Sequence, residues 1–261
     1  MTPLEPSAKV YVAGHRGMVG SAVWRELERR GFGELVGWPS SEVDLRDRDA
    51  AFDAIVSAAP DVLILAAAKV GGIWANASQP VEFLNDNLRI QTNVFEAALA
   101  ACTDKLVFLG SSCVYPKFAT QPIQEKELLS GPLEPTNAAY AIAKIAGIEG
   151  VRAYRERFGV HWISLMPCNI YGPYDNFDPE NSHVLPALIR RFAEASHFET
   201  PEVRPQVKER SCTIRSAVSV WMSHASILPW PRTRNFVWRR SSRNVCLTDA
   251  TSAWHSVMRA M

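Results

Sequence analysis

The stretch VYVAGHRGMVG at residues 10–20 decides the fold of this chain. Its first four residues are apolar, as is typical of a short buried strand, and three glycines follow with the spacing G-x-x-G-x-x-G. Gly14 permits a tight turn, Gly17 lets the backbone approach a diphosphate, and Gly20 lets the next helix pack close to the strand. The stretch therefore predicts a dinucleotide-binding turn between a strand and a helix. The alternative is a glycine turn without a ligand.

Strands and helices alternate over the first 170 residues. Apolar runs predict further strands at residues 34–37, 61–68, 105–110 and 161–167. Helical spacing of apolar residues predicts helices at 21–30, 49–59, 84–101 and 138–158. This alternation predicts an α/β fold, a doubly wound parallel sheet of Rossmann type with crossover helices on both faces. Such sheets bind ligands at the carboxyl ends of their strands.

Composition excludes several classes of protein. Of the 261 residues, 47% are hydrophobic and 21% charged, as in ordinary globular proteins, and the net charge of +1 gives no electrostatic case for a nucleic-acid or membrane partner. The five cysteines are scattered without metal-ligand spacing, so we expect reduced thiols and no metal site. The first residues lack the apolar run of a signal peptide. We therefore expect a cytoplasmic protein.

Two side chains of the predicted helix at 138–158 suggest carbonyl reduction. Tyr140 and Lys144 are four residues apart and lie on the same face of a helix. An ammonium favours phenolate, so Lys144 is expected to lower the pKa of the Tyr140 phenol. A phenol in this position can give its proton to a carbonyl that receives hydride. The alternative is two surface residues on a helix.

Three further side chains are candidates for proton transfer. Ser111 and Cys113 follow the strand predicted at 105–110, where a serine can bond a substrate carbonyl and a thiolate can take a proton from a carbon beside a ketone. His183 begins a helix predicted to continue to Phe192 and can return that proton as an acid. The alternatives are a turn serine, a buried thiol that fills space, and a histidine that caps or packs.

The end of the second strand bears on the choice between NAD and NADP. An acidic residue there would hold the ribose 2′-hydroxyl of NAD, yet the chain has no acid before Glu42. Arg16 in the glycine turn can instead meet a 2′-phosphate, since guanidinium matches phosphate geometry. These residues favour NADP(H), unless Arg16 is only a solvated loop arginine.

Six stretches together resemble one family. They are AGHRGMVGS (13–21), AAAKVGGI (66–73), LGSSCVYPK (109–117), LEPTN (133–137), YAIAKIAG (140–147) and NIYGP (169–173). They resemble the GDP-L-fucose synthases, which belong to the extended short-chain dehydrogenase/reductases. The resemblance extends from about Lys9 to Glu194 and implies NADP(H) as cofactor.

The resemblance implies a reaction in two stages on GDP-4-keto-6-deoxy-mannose. Cys113 as base and His183 as acid would epimerise C3 and C5, while Ser111 and Tyr140 hold the keto oxygen. NADPH would then reduce C4, with Tyr140 giving the proton and Lys144 supporting it, to form GDP-L-fucose. The family also implies a homodimer formed by the helices at 84–101 and 138–158.

The same resemblance implies binding roles for further residues. The cofactor-binding residues would be Gly14, His15, Arg16, Gly17, Met18, Val19, Gly20, Asp44, Leu45, Ala67, Lys144, Asn169 and His183. The substrate-binding residues would be Asn169 and Arg191. The family often has an arginine just after the second strand, where this chain has Trp38-Pro39-Ser40.

The composition changes near residue 196. Residues 1–195 contain 18 Lys and Arg against 23 Asp and Glu, a net charge of −5, whereas residues 196–261 contain 10 against 4, a net charge of +6. All 14 glycines lie at or before Gly172. We expect a cofactor domain at 1–172 and an incomplete substrate domain at 173–261. Our hypothesis is that residues from about 196 onward are a shifted reading frame or a replaced terminus, with irregular or poorly packed elements. The alternative is a divergent substrate lid.

Three readings of the function remain open. The first is the GDP-L-fucose synthase reaction. The second is another nucleotide-sugar epimerase or 4-ketoreductase. Cys113 and His183 would separate the first reading from it, because they should confer epimerisation at C3 and C5. The third is a degenerate NADP-binding remnant, which the glycine-free terminus favours.

Overall fold

The computed structural model describes residues 4–197 and 247–249. The chain divides into two compact units, one formed by residues 1–187 with 247–261 and the other by residues 188–246. The sheet and its helices belong to the first unit. The expectation of irregular structure after residue 196 falls outside the described residues, apart from the end of one helix and one three-residue strand.

Five parallel strands form the main sheet. They are β1 (Val10–Ala13), β2 (Leu35–Val36), β3 (Val62–Leu65), β4 (Lys105–Leu109) and β5 (His161–Leu165). Their order is β2-β1-β3-β4-β5. This order confirms the predicted doubly wound parallel sheet. The strands after β1 end earlier than predicted, because the residues that follow them turn into the loops at the carboxyl edge.

The described residues form six α-helices. They are α1 (Met18–Arg29), α2 (Arg48–Ala58), α3 (Ile73–Ser78), α4 (Pro80–Ala100), α5 (Ala138–Phe158) and α6 (Val184–His197). α1 begins three residues before the predicted start because Gly17 serves as its N-cap. α4 begins four residues early at Pro80, whose fixed φ suits a first helical turn. None of the described helices is both long and apolar enough to cross a membrane.

A second, two-stranded sheet was not predicted. Strand β6 (Asn169–Tyr171) pairs in parallel with strand β7 (Leu247–Asp249). β6 is too short to show alternation, and its partner lies more than seventy residues away, so neither strand has a local signal in the sequence.

The core has two layers, one on each face of the sheet. Tyr11 and Ala13 of β1 face a layer that includes residues of α2, α4 and α5, whereas Val10 and Val12 face a layer that includes residues of α1. This alternation is the period of two expected of a strand. Trp162 of β5 is fully buried in the first layer. The predicted helices on both faces are thereby confirmed.

Gly147 lets α5 lie close to α4 and the sheet. A Cβ atom at this position would lie 2.3 Å from Cζ of Phe108 and 2.6 Å from Oε1 of Gln91. Gln91 of α4 also donates a hydrogen bond of 2.9 Å to the carbonyl of Ala143. The contact therefore fixes the part of α5 that carries the predicted tyrosine and lysine.

Replacing Gly147 with alanine should destabilise the fold. Overpacking costs about 1–3 kcal/mol, and alanine's better helix propensity returns at most about 1 kcal/mol. The free energy of unfolding, measured in urea, should therefore decrease in Gly147→Ala. Gly33→Ala is the control, since nothing lies within 4 Å of a Cβ there. Equal stability of the two variants would contradict the close approach.

Candidate active site

The glycine turn after β1 packs directly against the loop after β3. Gly14 has a φ of +82°, and a Cβ atom there would lie 2.7 Å from the backbone nitrogen of Ala67. A Cβ atom at Gly20 would lie 2.1 Å from the carbonyl oxygen of Gly14. The turn thus has no room for side chains at these two positions. The structure brings the predicted residues Gly14, Gly20 and Ala67 together.

The N-terminus of α1 is suited to an anion. Gly17 is its N-cap, no side chain caps the helix, and its first turn contains no acidic residue. The exposed Arg16 adds a positive charge at the same point. The first N–H groups of α1 and the positive end of its dipole are therefore directed at this turn. Both features fit a dinucleotide diphosphate.

His15 occupies the space beside the end of β2. Its ring centroid lies 5.2 Å from that of Trp24, and its Nδ1 is buried with no hydrogen-bond partner among the described residues. Burial and the nearby Arg16 lower the pKa of His15. A Cβ atom at Gly37 would lie 2.7 Å from this Nδ1. A side chain at Gly37 would therefore collide with the His15 ring, which accounts for the glycine after β2.

The loop before α2 is fixed by contacts that the sequence did not reveal. Arg46 pairs with Asp44 at 2.7 Å and with Asp86 at 3.4 Å, and its hydrogen bond to Asp44 lowers the pKa of that carboxyl. The Asn93 amide donates to the carbonyl of Leu45 at 3.0 Å. Asp44 and Leu45, predicted beside the cofactor, are therefore held against α4.

Lys144 joins α5 to the end of β4. Only 4% of its surface is exposed, and its amine donates a 2.8 Å hydrogen bond to the carbonyl of Leu109. Burial lowers the pKa of Lys144 to about 8. Tyr140, one turn earlier, hydrogen-bonds to the side chain of Ser111. The structure therefore brings Ser111, Tyr140 and Lys144 together at the carboxyl end of β4.

The pKa of Tyr140 moves in the direction opposite to the one expected. Burial of the phenol is the largest effect and raises its pKa above the usual range, Cys113 adds to the rise, and the hydrogen bond from Ser111 opposes it. The Lys144 amine lies 5.8 Å from the centroid of the Tyr140 ring and is bonded to Leu109. The expected lowering by Lys144 is thus wrong, because removing the phenol from water outweighs it. Tyr140 therefore keeps its proton and is suited to act as an acid.

Cys113 lies beside this cluster in a 3-10 turn at Ser112–Val114. Its backbone N–H donates to Oγ of Ser111 at 3.2 Å. Its sulfur accepts a hydrogen bond of 3.3 Å from the Asn137 amide. Asn137 was not predicted as a site residue, although it stands in the quoted stretch LEPTN at 133–137.

The other predicted residues lie apart from these contacts. His183 is exposed just before α6, and no hydrogen bond joins it to Cys113 in the described chain. Asn169 is exposed on β6. Arg191 is exposed on the part of α6 that belongs to the second unit. Among the described contacts, none joins His183 or Asn169 to the cluster.

The segment before His183 is nevertheless tied to the carboxyl edge of the sheet. The Gly72 N–H donates to the carbonyl of Asn181 at 3.0 Å. A Cβ atom at Gly72 would lie 2.4 Å from the carbonyl oxygen of Ser182. Gly72 belongs to the loop after β3, the same loop that Asn87 holds through hydrogen bonds to both backbone groups of Lys69.

The chain matches a model of a known family. The model is that of the NAD dependent epimerase/dehydratase family, and the match covers residues 10–209. The chain belongs to this family. The match includes the glycine turn, the tyrosine and lysine of α5 and the segment around His183.

Curated relatives make the match more specific. The chain is 53% identical over 195 residues to GDP-L-fucose synthase of Escherichia coli K12, which covers 75% of this chain and 61% of the relative. It is 58% identical over 200 residues to GDP-L-fucose synthase 1 of Arabidopsis thaliana, which covers 76% of this chain and 62% of the relative. The chain thus spans about three fifths of the length of these relatives.

Solved structures agree with the fold. A GDP-L-fucose synthetase from Naegleria fowleri bound to NADP has a TM-score of 0.68 and 32% identity, covering 74% of this chain and 64% of that one. A GDP-mannoheptose C4 reductase from Campylobacter jejuni with NADP bound has a TM-score of 0.67 and 35% identity, covering 74% and 59%.

The buried Lys144 should make stability depend on pH. Between pH 8 and 10 the unfolded chain keeps a proton that the folded chain has released, so the free energy of unfolding rises with pH. From pH 8 to 9.5 the rise should be about 1–2 kcal/mol. The raised pKa of Tyr140 acts in the opposite direction only above about pH 10.

Urea denaturation with reductant at pH 8 and 9.5 measures this effect. Lys144→Met should lose the rise, whereas Lys126→Met, which removes an exposed lysine, should keep it. An identical pH dependence in the wild-type chain and Lys144→Met would contradict the lowered pKa.

Proposed function

We propose that this chain is a GDP-L-fucose synthase that uses NADP(H). It would epimerise C3 and C5 of GDP-4-keto-6-deoxy-mannose and reduce the 4-keto group. The observation that carries the proposal is the cluster of Ser111, Cys113, Tyr140 and Lys144 at the end of β4. The identity of 53–58% to curated GDP-L-fucose synthases supports it.

The glycine turn would hold the diphosphate of the cofactor. Residues 14–20 contribute the tight turn and the N-terminus of α1, with Ala67 packed behind Gly14. Asp44 and Leu45 would border the adenine, and Arg16 would meet the 2′-phosphate, since guanidinium suits phosphate. Lys144, Asn169 and His183 would complete the cofactor site. When bound, NADPH supplies the hydride that reduces C4.

Tyr140 would provide the proton for the reduction. Its raised pKa keeps the phenol protonated, so it can donate to the oxygen at C4 as hydride arrives. Ser111 contacts the same phenol and would donate a second hydrogen bond to that oxygen. Lys144 fixes the position of α5 through Leu109 and places a positive group next to Tyr140.

The same oxygen contacts would serve the epimerisation. A 4-keto group acidifies the C–H bonds at C3 and C5, and hydrogen bonds from Ser111 and Tyr140 would stabilise the enolate. Cys113, two residues from Ser111, would take the proton from one face. His183 would return a proton, and Asn169 and Arg191 would contact the GDP-sugar.

The quaternary structure and domain organisation are also proposals. We propose a homodimer formed through α4 and α5, which the exposed apolar side chains Val81 and Ile142 support. We propose residues 1–172 as the cofactor domain and residues 173–261 as the substrate domain. The lack of glycine after Gly172 favours a second candidate, an NADP-binding remnant without turnover.

Turnover of NADPH with GDP-4-keto-6-deoxy-mannose tests the proposed function. The wild-type chain should oxidise NADPH, and Tyr140→Phe should reduce the rate by about 10²–10⁴-fold, because the general acid is lost. Tyr154→Phe is the control, since this tyrosine lies on the same helix but stacks on Trp162 at 4.9 Å. NADPH binding without any turnover in the wild-type chain would favour the remnant.

Cofactor binding can be tested separately through Gly20. A methyl group there would lie 2.1 Å from the Gly14 carbonyl oxygen, so Gly20→Ala must open the turn. NADPH affinity, measured by calorimetric titration, should fall by about tenfold or more. Gly33→Ala serves again as the control. Unchanged affinity in Gly20→Ala would contradict this location of the diphosphate.

A further inference from the structure

We propose that Asn137 is a positioning residue that holds the thiol of Cys113 through an N–H···S hydrogen bond and stabilises its anion. The amide Nδ2 of Asn137 lies 3.3 Å from the sulfur. The two residues are 24 positions apart, on the loop after β4 and on the turn before α5. Both are half-buried. The proposal rests on the proposed function in taking Cys113 as the base.

Two independent contacts fix the turn that carries Asn137 to the loop that carries Cys113. The Lys117 N–H donates to the carbonyl of Pro132 at 2.9 Å, and the Lys117 amine pairs with the Glu134 carboxylate at 2.8 Å. The Asn137 N–H in turn donates to the Glu134 carbonyl at 3.2 Å. These contacts hold the two backbone segments together and thereby fix the distance from the Asn137 amide to the Cys113 sulfur. An incidental contact between surface side chains would not be fixed in this way.

Cys113 is held from its other side by Ser111. The backbone N–H of Cys113 donates to Oγ of Ser111, and Ser111 also bonds the Tyr140 phenol. One serine thus joins the two groups that would move protons. The sulfur, in contrast, is oriented by Asn137, so this contact decides where the thiol points.

The Asn137 amide is chemically suited to support Cys113 as a base. An amide N–H that donates to sulfur interacts more strongly with a thiolate than with a thiol, so it favours the deprotonated form. An amide carries no titratable proton, so it cannot exchange one with the substrate. The Tyr140 phenol is close enough to Cys113 for the two groups to interact, whereas the Lys144 amine is bonded to Leu109. Among the described residues no cation pairs with this sulfur.

The orientation of the Asn137 amide determines whether it favours the thiolate or the thiol of Cys113. Oδ1 of Asn137 is buried without a hydrogen-bond partner in the described chain. If the amide were turned by 180°, Oδ1 would accept from S–H and would favour the thiol instead. The two orientations therefore predict opposite changes in the reactivity of Cys113 when the side chain is removed.

The rate of alkylation of Cys113 shows which form the amide favours, and it needs no substrate. The full chain is treated with iodoacetamide, and mass spectrometry of peptides gives the rate at Cys113, with the exposed Cys102 as an internal reference. The ratio of the rate at pH 7 to that at pH 10 separates ionisation from access, because an ordinary thiol is fully ionised at pH 10. Asn137→Ala should lower this ratio about tenfold at Cys113 and leave it unchanged at Cys102.

Two further variants control for the fold and the neighbourhood. Asn137→Asp keeps the shape but replaces the donor with a carboxylate, and should lower the ratio further, even if Asn137→Ala unfolds. Thr136→Ala changes the adjacent residue, whose hydroxyl bonds Glu134 rather than Cys113, and should leave the ratio unchanged. A ratio at Cys113 that stays the same or rises in Asn137→Ala would overturn the proposal, and so would an unchanged or raised ratio in Asn137→Asp.

Isotope exchange then connects the contact to the reaction. With GDP-4-keto-6-deoxy-mannose in D₂O, Asn137→Ala should take up deuterium at C3 and C5 more slowly than the wild-type chain. Exchange as fast as in the wild-type chain would overturn the positioning role. No exchange in the wild-type chain would instead count against the proposed function, while the alkylation ratio still decides the role of Asn137.

Discussion

The hydrogen bond from Lys144 to the carbonyl of Leu109 is the constraint on which the candidate site depends. A lysine that is 96% removed from solvent must satisfy its amine within the protein, and this carbonyl at the end of β4 satisfies it. The bond fixes both the rotation and the height of α5 relative to β4. Tyr140, one turn earlier on α5, then reaches Ser111, two residues beyond Leu109.

Small residues make this arrangement possible. Gly147 admits the Phe108 ring and Gln91 against α5, Gly14 admits the loop after β3 against the glycine turn, and Gly20 admits the backbone of Gly14 against α1. In each place a single methyl group would approach within 2.8 Å of another atom. The glycine turn is therefore held by backbone contacts, whereas the position of α5 depends on contacts with the side chains of Phe108 and Gln91.

Local patterns predicted the sheet, five of the six described helices and the Tyr140–Lys144 pair, because apolar periodicity and glycine spacing reside in neighbouring residues. α6 was predicted to continue to Phe192 and extends to His197, and the six-residue α3 was missed because it spans fewer than two turns. The contacts of Asn137 with Cys113, and of His15 with Gly37, join distant segments and leave no periodic signal. The pKa of Tyr140 was predicted in the wrong direction, because spacing reveals a neighbouring lysine but not the burial of the phenol.

The proposed function gives this site two proton-transfer tasks, and the two groups differ in environment. Tyr140 is in a dry position that favours its neutral form, which would suit a group that gives a proton. The sulfur of Cys113 accepts a hydrogen bond from the Asn137 amide, which in our proposal suits a group that takes one. Ser111 contacts the Tyr140 phenol and the backbone N–H of Cys113, so a carbonyl oxygen held by Ser111 would lie near both residues. A single oxygen position can therefore serve both enolisation and reduction, provided that the acid and the base are tuned by burial and hydrogen bonding rather than by a shared charge.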